Sequence, residues 1–110
     1  MYAESLRRFG FCTLQASSAA DAYRMATELP PAAVITDMRL PGEEDGLRLT
    51  RRLKDDSRMC HVPVVILTGG VVTHDREAAA HAGCDLFLPK PCLPDILSKR
   101  VAGLIRRARE

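Results

Sequence analysis

A chain of 110 residues holds one compact domain and is too short for a receptor joined to an output module. Hydrophobic residues at 46% and charged residues at 27% exclude disordered and collagen-like classes and promise a modest core. Sixteen Lys plus Arg against fourteen Asp plus Glu leave +2, too little to make nucleic acid or an anionic membrane the default partner. No apolar run approaches the roughly 20 residues of a membrane helix, and MYAESLRRFGF lacks the apolar centre of a signal peptide, so a cytoplasmic location is expected. Cys12, Cys60, Cys84 and Cys92 form no C-x-x-C pair, which argues against zinc and against a disulfide scaffold and leaves them as structural thiols.

In chain order, residues 2–9 read as a short helix ended by Gly10, where glycine can take the left-handed cap conformation. FCTLQA, from Phe11, reads as a strand. Ser17 or Ser18 caps the next helix, AADAYRMATEL, whose Ala22, Tyr23, Met25, Ala26 and Leu29 share one face and which Pro30-Pro31 stops. AAVITD is an apolar run whose β-branched Val34, Ile35 and Thr36 favour a strand buried on both faces, with Asp37 at its carboxyl end.

The polar turn LPGEEDG leads into the helix LRLTRRLKDD. Leu47, Leu49, Thr50 and Leu53 form its apolar stripe, with Arg48, Arg51, Arg52 and Lys54 on a solvated side. VPVVILT is the strongest strand of the sequence; it ends at Thr68, and Gly69-Gly70 breaks it. THDREAAAHAG is helical and capped at Gly83, CDLFLPK is a strand ending at Lys90, and PDILSKRVAGLIRRAR is a last helix with Ile96, Val101, Leu104 and Ile105 as its apolar side. Strands alternating with helices predict an α/β architecture with a parallel sheet and right-handed crossovers, whose functional groups gather at the strands' carboxyl ends.

Three of those ends carry Asp37, Thr68 and Lys90, and neighbouring strands lie only about 4.8 Å apart, so the three side chains can converge. A carboxylate can attack phosphorus to form an acyl phosphate, while a hydroxyl and an ammonium bind the phosphoryl oxygens and offset their charge. Each residue alone has an ordinary explanation as a turn former or a solvated charge.

Here the sequence resembles the receiver domain of two-component response regulators over essentially its whole length. The pieces that carry the likeness are VITDMRLPGEEDGL, PVVILTG and AGCDLFLPKP, in the family's order, with SLRRFGFCTLQASSAADAYRMA ahead of them. The resemblance implies a flavodoxin-like, doubly wound α/β/α sandwich over residues 1–110. It implies that Asp37 accepts a phosphoryl group from a histidine kinase or phosphotransfer protein, that Thr68 hydrogen-bonds it and that Lys90 pairs with it. Phe87 matches the family's switch aromatic, with an ordinary core phenylalanine as the alternative, and Lys90-Pro91 matches a step that is commonly cis. The carbonyl of Arg39 matches a Mg²⁺ ligand, beside Asp37.

Two departures stand out. The family's first strand, which ends in an acidic pair that holds Mg²⁺, has no counterpart in the chain, so a partial domain, weak or absent Mg²⁺ binding and impaired phosphorylation are expected. That strand lies centrally in the family, between the second and third, so its loss opens strand edges and predicts self-association. The loop after Asp37 is one residue longer than usual and gathers Glu43, Glu44 and Asp45, read as a solvated turn in which Asp45 caps the following helix, with a carboxylate leaning toward the cation as the minor alternative.

The competing readings are a phosphorylation-incompetent interaction domain on the same fold and a phosphohydrolase like the haloacid dehalogenases. The latter needs an acid two residues after the aspartate, where this chain has Arg39. No segment remains for a helix-turn-helix, which disfavours DNA binding by this domain.

Overall fold

The computed structural model describes residues 2–39, 44–69 and 72–109. In chain order the elements are α1 (Tyr2–Arg8), α2 (Ala19–Glu28), β1 (Val34–Asp37), α3 (Gly46–Asp55), β2 (Val64–Thr68), α4 (Val72–Ala82), β3 (Leu86–Pro89) and α5 (Pro94–Ala108). The strands form a parallel sheet in the order β1-β2-β3, with Val34 opposite Val64 and Val65 opposite Leu86.

β2 is buried along its whole length because it has a strand on each side and helices on each face. Its alternate side chains separate two cores. Val64 and Ile66 pack with Ala26 of α2, Leu49 and Leu53 of α3 and Ala79 of α4. Val65 and Leu67 pack with Leu6 of α1 and with Leu97, Val101 and Ile105 of α5. The result is the expected three-layer sandwich.

Local chemistry sets the helix ends. Ser18 caps α2 by accepting the Asp21 N–H at 3.1 Å, and Asp45 caps α3 by accepting that of Arg48 at 3.0 Å. After α1 the Phe11 N–H reaches back to the Leu6 carbonyl and the Gly10 N–H to that of Arg7. This paired arrangement needs the positive φ of Gly10, +92°. Gly83, at φ +94°, closes α4 in the same way. The α1–α5 contact is polar at its centre: Ser98 donates to Ser5 at 2.9 Å and Ser5 to Asp95 at 2.8 Å, so two fully buried serines are satisfied.

Several expectations are corrected. FCTLQA is not a strand: residues 11–16 have no regular structure, because the strand that would hydrogen-bond them is the one without a counterpart in the chain. β1 is half-buried rather than buried throughout, since among the described residues only β2 pairs with it. Leu29 is the C-cap of α2 and is 66% exposed. In α5 the buried stripe runs through Leu97, Ser98, Val101 and Ile105; Ile96, one residue ahead and so about 100° round the helix, stays exposed. The cysteines are free thiols, and Cys12 and Cys60 are exposed rather than buried. Gly70 lies outside the described residues.

Candidate functional site

The ladder of the sheet continues one step past β1 and β3. The Met38 N–H donates to the Leu67 carbonyl at 2.8 Å and the Lys90 N–H to the Thr68 carbonyl at 2.6 Å. These bonds bring the carboxyl ends of β1, β2 and β3 to one rim. There a cavity of about 310 Å³ is lined by Asp37, Met38, Arg39, Leu67, Thr68, Gly69 and Lys90. Asp37, Thr68 and Lys90, singled out for their places at strand ends, thus face one space.

Lys90 Nζ lies 2.7 Å from Asp37 Oδ1, with both side chains a little under half exposed. The carboxylate is therefore reachable from solvent and already paired with the cation that would offset added negative charge. Lys90-Pro91 is cis, as the family's step commonly is. Arg39 is exposed at the mouth. Phe87 is buried at 9% exposure, packs in the core shared with α3 and α4, and has the guanidinium of Arg76 5.3 Å from its ring centre.

Gly46 sets the height of the Asp37 backbone. Its N–H donates to the Met38 carbonyl at 2.9 Å, and a Cβ on it would run into the Asp37 carbonyl oxygen. No side chain fits there, so the first residue of α3 must be glycine to lie this close to the end of β1.

Two further residues contact the site in ways that spacing alone does not reveal. In the sequence Gly46 marks the end of the polar turn and of the lengthened loop after Asp37, with no sign of a close approach. Asp75, in α4 and 5% exposed, accepts the Thr68 hydroxyl at 2.5 Å, and its one sequence signal is an acidic residue in the first turn of a helix.

The described residues do not fit a divalent cation on their own. Among them no three His, Cys, Asp or Glu side chains cluster as a metal site, and Asp37 is the one carboxylate lining the cavity. Mg²⁺ favours six oxygens in octahedral array. The acidic turn does not make up the difference within the described residues: Glu44 is held by Arg52 at 2.8 and 3.0 Å, and Asp45 is occupied as a helix cap. Glu43 lies outside the described residues.

Residues 1–102 match the family described as the response regulator receiver domain. The chain is 38% identical to response regulator Rre1 of Synechocystis over 92 residues, which are 84% of this chain and 39% of that protein, so it spans well under half of that relative. It is 31% identical to the polar-differentiation response regulator DivK of Brucella ovis over 91 residues, 83% of this chain and 73% of that one. Among solved structures, the signal receiver domain of a histidine kinase from Syntrophus aciditrophicus superposes with a TM-score of 0.87 at 28% identity, covering 96% of this chain and 79% of that one. A sensor kinase receiver domain from Pseudomonas aeruginosa, with a magnesium ion in its active site cleft, gives 0.83 at 28% identity over 94% of this chain and 84% of that one.

The phosphohydrolase alternative is not favoured, since Arg39 stands where its general acid belongs. With the sheet order, the convergent strand ends and this match over most of its length, the chain belongs to the response regulator receiver domain family and is a phosphoacceptor module of two-component signalling.

Proposed function

We propose that Asp37 is the phosphoacceptor of this module, that Lys90 and Thr68 bind the phosphoryl group and that Phe87 is the switch aromatic. The observation that carries the reading is the Lys90 ammonium 2.7 Å from the Asp37 carboxylate on a cavity that Thr68 also lines. A carboxylate oxygen of Asp37 attacks the phosphorus of a phosphohistidine on a histidine kinase or phosphotransfer protein. The O–P bond forms as the N–P bond breaks, and the electron pair leaves on the imidazole nitrogen. Lys90 then meets the new phosphoryl charge without moving far. Residues 1–110 act as one receiver domain, in the cytoplasm, as a protein partner rather than as a turnover enzyme.

Mg²⁺ is the cofactor of this reading, with the Arg39 carbonyl and Asp37 as its contributions from this chain. A donor set this sparse predicts weak binding. Self-association belongs to the same proposal. Among the described residues β1 pairs on one side only, and the outward backbone groups of Val34–Thr36 suit the matching edge of a second copy.

The test is intact-mass spectrometry after incubation with a phosphorylated histidine phosphotransfer domain, followed by hydroxylamine. A hydroxylamine-labile phosphate in the native chain, absent from Asp37→Asn, is expected. The same label surviving in Asp37→Asn would place the acceptor elsewhere.

A further inference from the structure

A threonine hydroxyl has one proton to give. In this structure Thr68 gives it to Asp75, a carboxylate 5% exposed on α4. The next residue on the helix, Arg76, lies over the Phe87 ring. Thr68 and Phe87 share a face of the sheet, because Phe87 pairs with Ile66 and Thr68 is two residues beyond Ile66 on β2. Two consecutive residues of one helix therefore touch the two side chains assigned above to phosphoryl binding and to switching.

We propose that Asp75 and Arg76 form a resting-state clasp, in which Asp75 holds the Thr68 hydroxyl away from the phosphoryl site and Arg76 ties Phe87 to the same turn of α4. The proposal rests on the reading of Asp37 as phosphoacceptor. A phosphoryl group on Asp37 and the carboxylate of Asp75 compete for one donor. When Thr68 turns to the phosphoryl oxygen, Asp75 loses its donor in a site that water reaches poorly, an arrangement costly enough to move the helix that carries it. Displacement of α4 then frees Phe87 from Arg76. Asp75 is thus a positioning residue that links occupancy of Asp37 to α4.

The clasp is tested first in the resting protein, with threonine labelled with ¹³C and its side-chain rotamer read from three-bond couplings by NMR. The native chain should hold Thr68 in one rotamer. Asp75→Asn keeps an oxygen acceptor and should preserve it, whereas Asp75→Ala should give averaged couplings and a shifted Phe87 ring resonance. Averaged Thr68 couplings in the native chain would overturn the proposal, even if Asp75→Ala does not fold; so would a single rotamer and an unmoved Phe87 in folded Asp75→Ala.

The second arm is phosphorylation by phosphoramidate, followed by intact mass. Asp75→Ala should be labelled about tenfold faster than the native chain or Asp75→Asn, the factor that about 1.4 kcal/mol carries. Equal rates would count against the clasp. A native chain that takes no label at all would defeat the reading of Asp37, while the rotamer measurement still decides the clasp.

Discussion

The Asp37–Lys90 ion pair is close, yet each side chain is more than two-fifths exposed. Solvent screens such a pair, and its contribution to stability is about 0–1 kcal/mol. Lys90→Ala should therefore shift the denaturant midpoint little while reducing the yield of hydroxylamine-labile phosphate at least about tenfold, as loss of a charge-assisted contact implies. A matching loss of stability and labelling would show Lys90 to be structural instead.

Asp56 behaves differently. Its carboxyl is held well below the usual carboxylate range, first by the Arg58 guanidinium at 2.8 Å and then by the Tyr23 hydroxyl at 2.7 Å. A folded pKa below the unfolded one gives stability that is present above the unfolded pKa and is lost as pH falls toward the folded one. Thermal melts of the native chain should decline more steeply below about pH 4 than those of Asp56→Asn; parallel declines would contradict this account.

Among the elements, α3 ties the site to the core. Its N-terminal glycine lies under the Asp37 carbonyl, and Leu49, Thr50 and Leu53 anchor the rest of the helix with at most 1% exposure. Arg52 joins it outward, pairing with Glu44 and stacking 4.1 Å from the Tyr23 ring centre, so that one arginine of the face expected to be solvated holds α2 and α3 together. Gly46→Ala must push the Asp37 carbonyl away. It should lower labelling of Asp37 and destabilise the fold, although alanine in place of glycine within a helix ordinarily stabilises by about 1 kcal/mol. A Gly46→Ala chain as stable and as readily labelled as the native one would refute the close approach. Leu53→Ala, fully buried and remote from the cavity, should cost about 2–5 kcal/mol in chemical denaturation and leave a folded chain's phosphorylation rate unchanged.

For the whole molecule, the open edge of β1 and the sparse donor set at the cavity govern behaviour in solution. Sedimentation equilibrium of the native chain should show mass above that of a monomer as concentration rises. Ile35→Pro, which removes a strand N–H from β1, should block pairing along that edge. A monomer at every concentration, with native circular dichroism, would end the edge-pairing proposal. Phosphorylation by acetyl phosphate with Mg²⁺ should be slow in the 110-residue chain and faster in a fusion carrying a receiver strand that ends in two acidic residues. Equal, rapid labelling of both would implicate the acidic turn after Asp37 as a substitute.

What the sequence determined by itself was local or periodic. Continuous β-branched runs marked β1 and β2, Ser18 and Asp45 marked helix starts, Gly10 and Gly83 marked helix ends, and the polar residues ending each strand marked the rim. These features depend on neighbours a few residues away, and a parallel sheet places its strand ends together without further instruction. Tertiary structure decided the rest. Residues 11–16 have strand-like composition and no strand, because pairing needs a partner that composition does not supply. Gly46 is required by a carbonyl nine residues earlier in the chain, and Asp75 takes its role from a hydroxyl on another element. Contacts between elements leave no period in the sequence, so only the packed molecule reveals them.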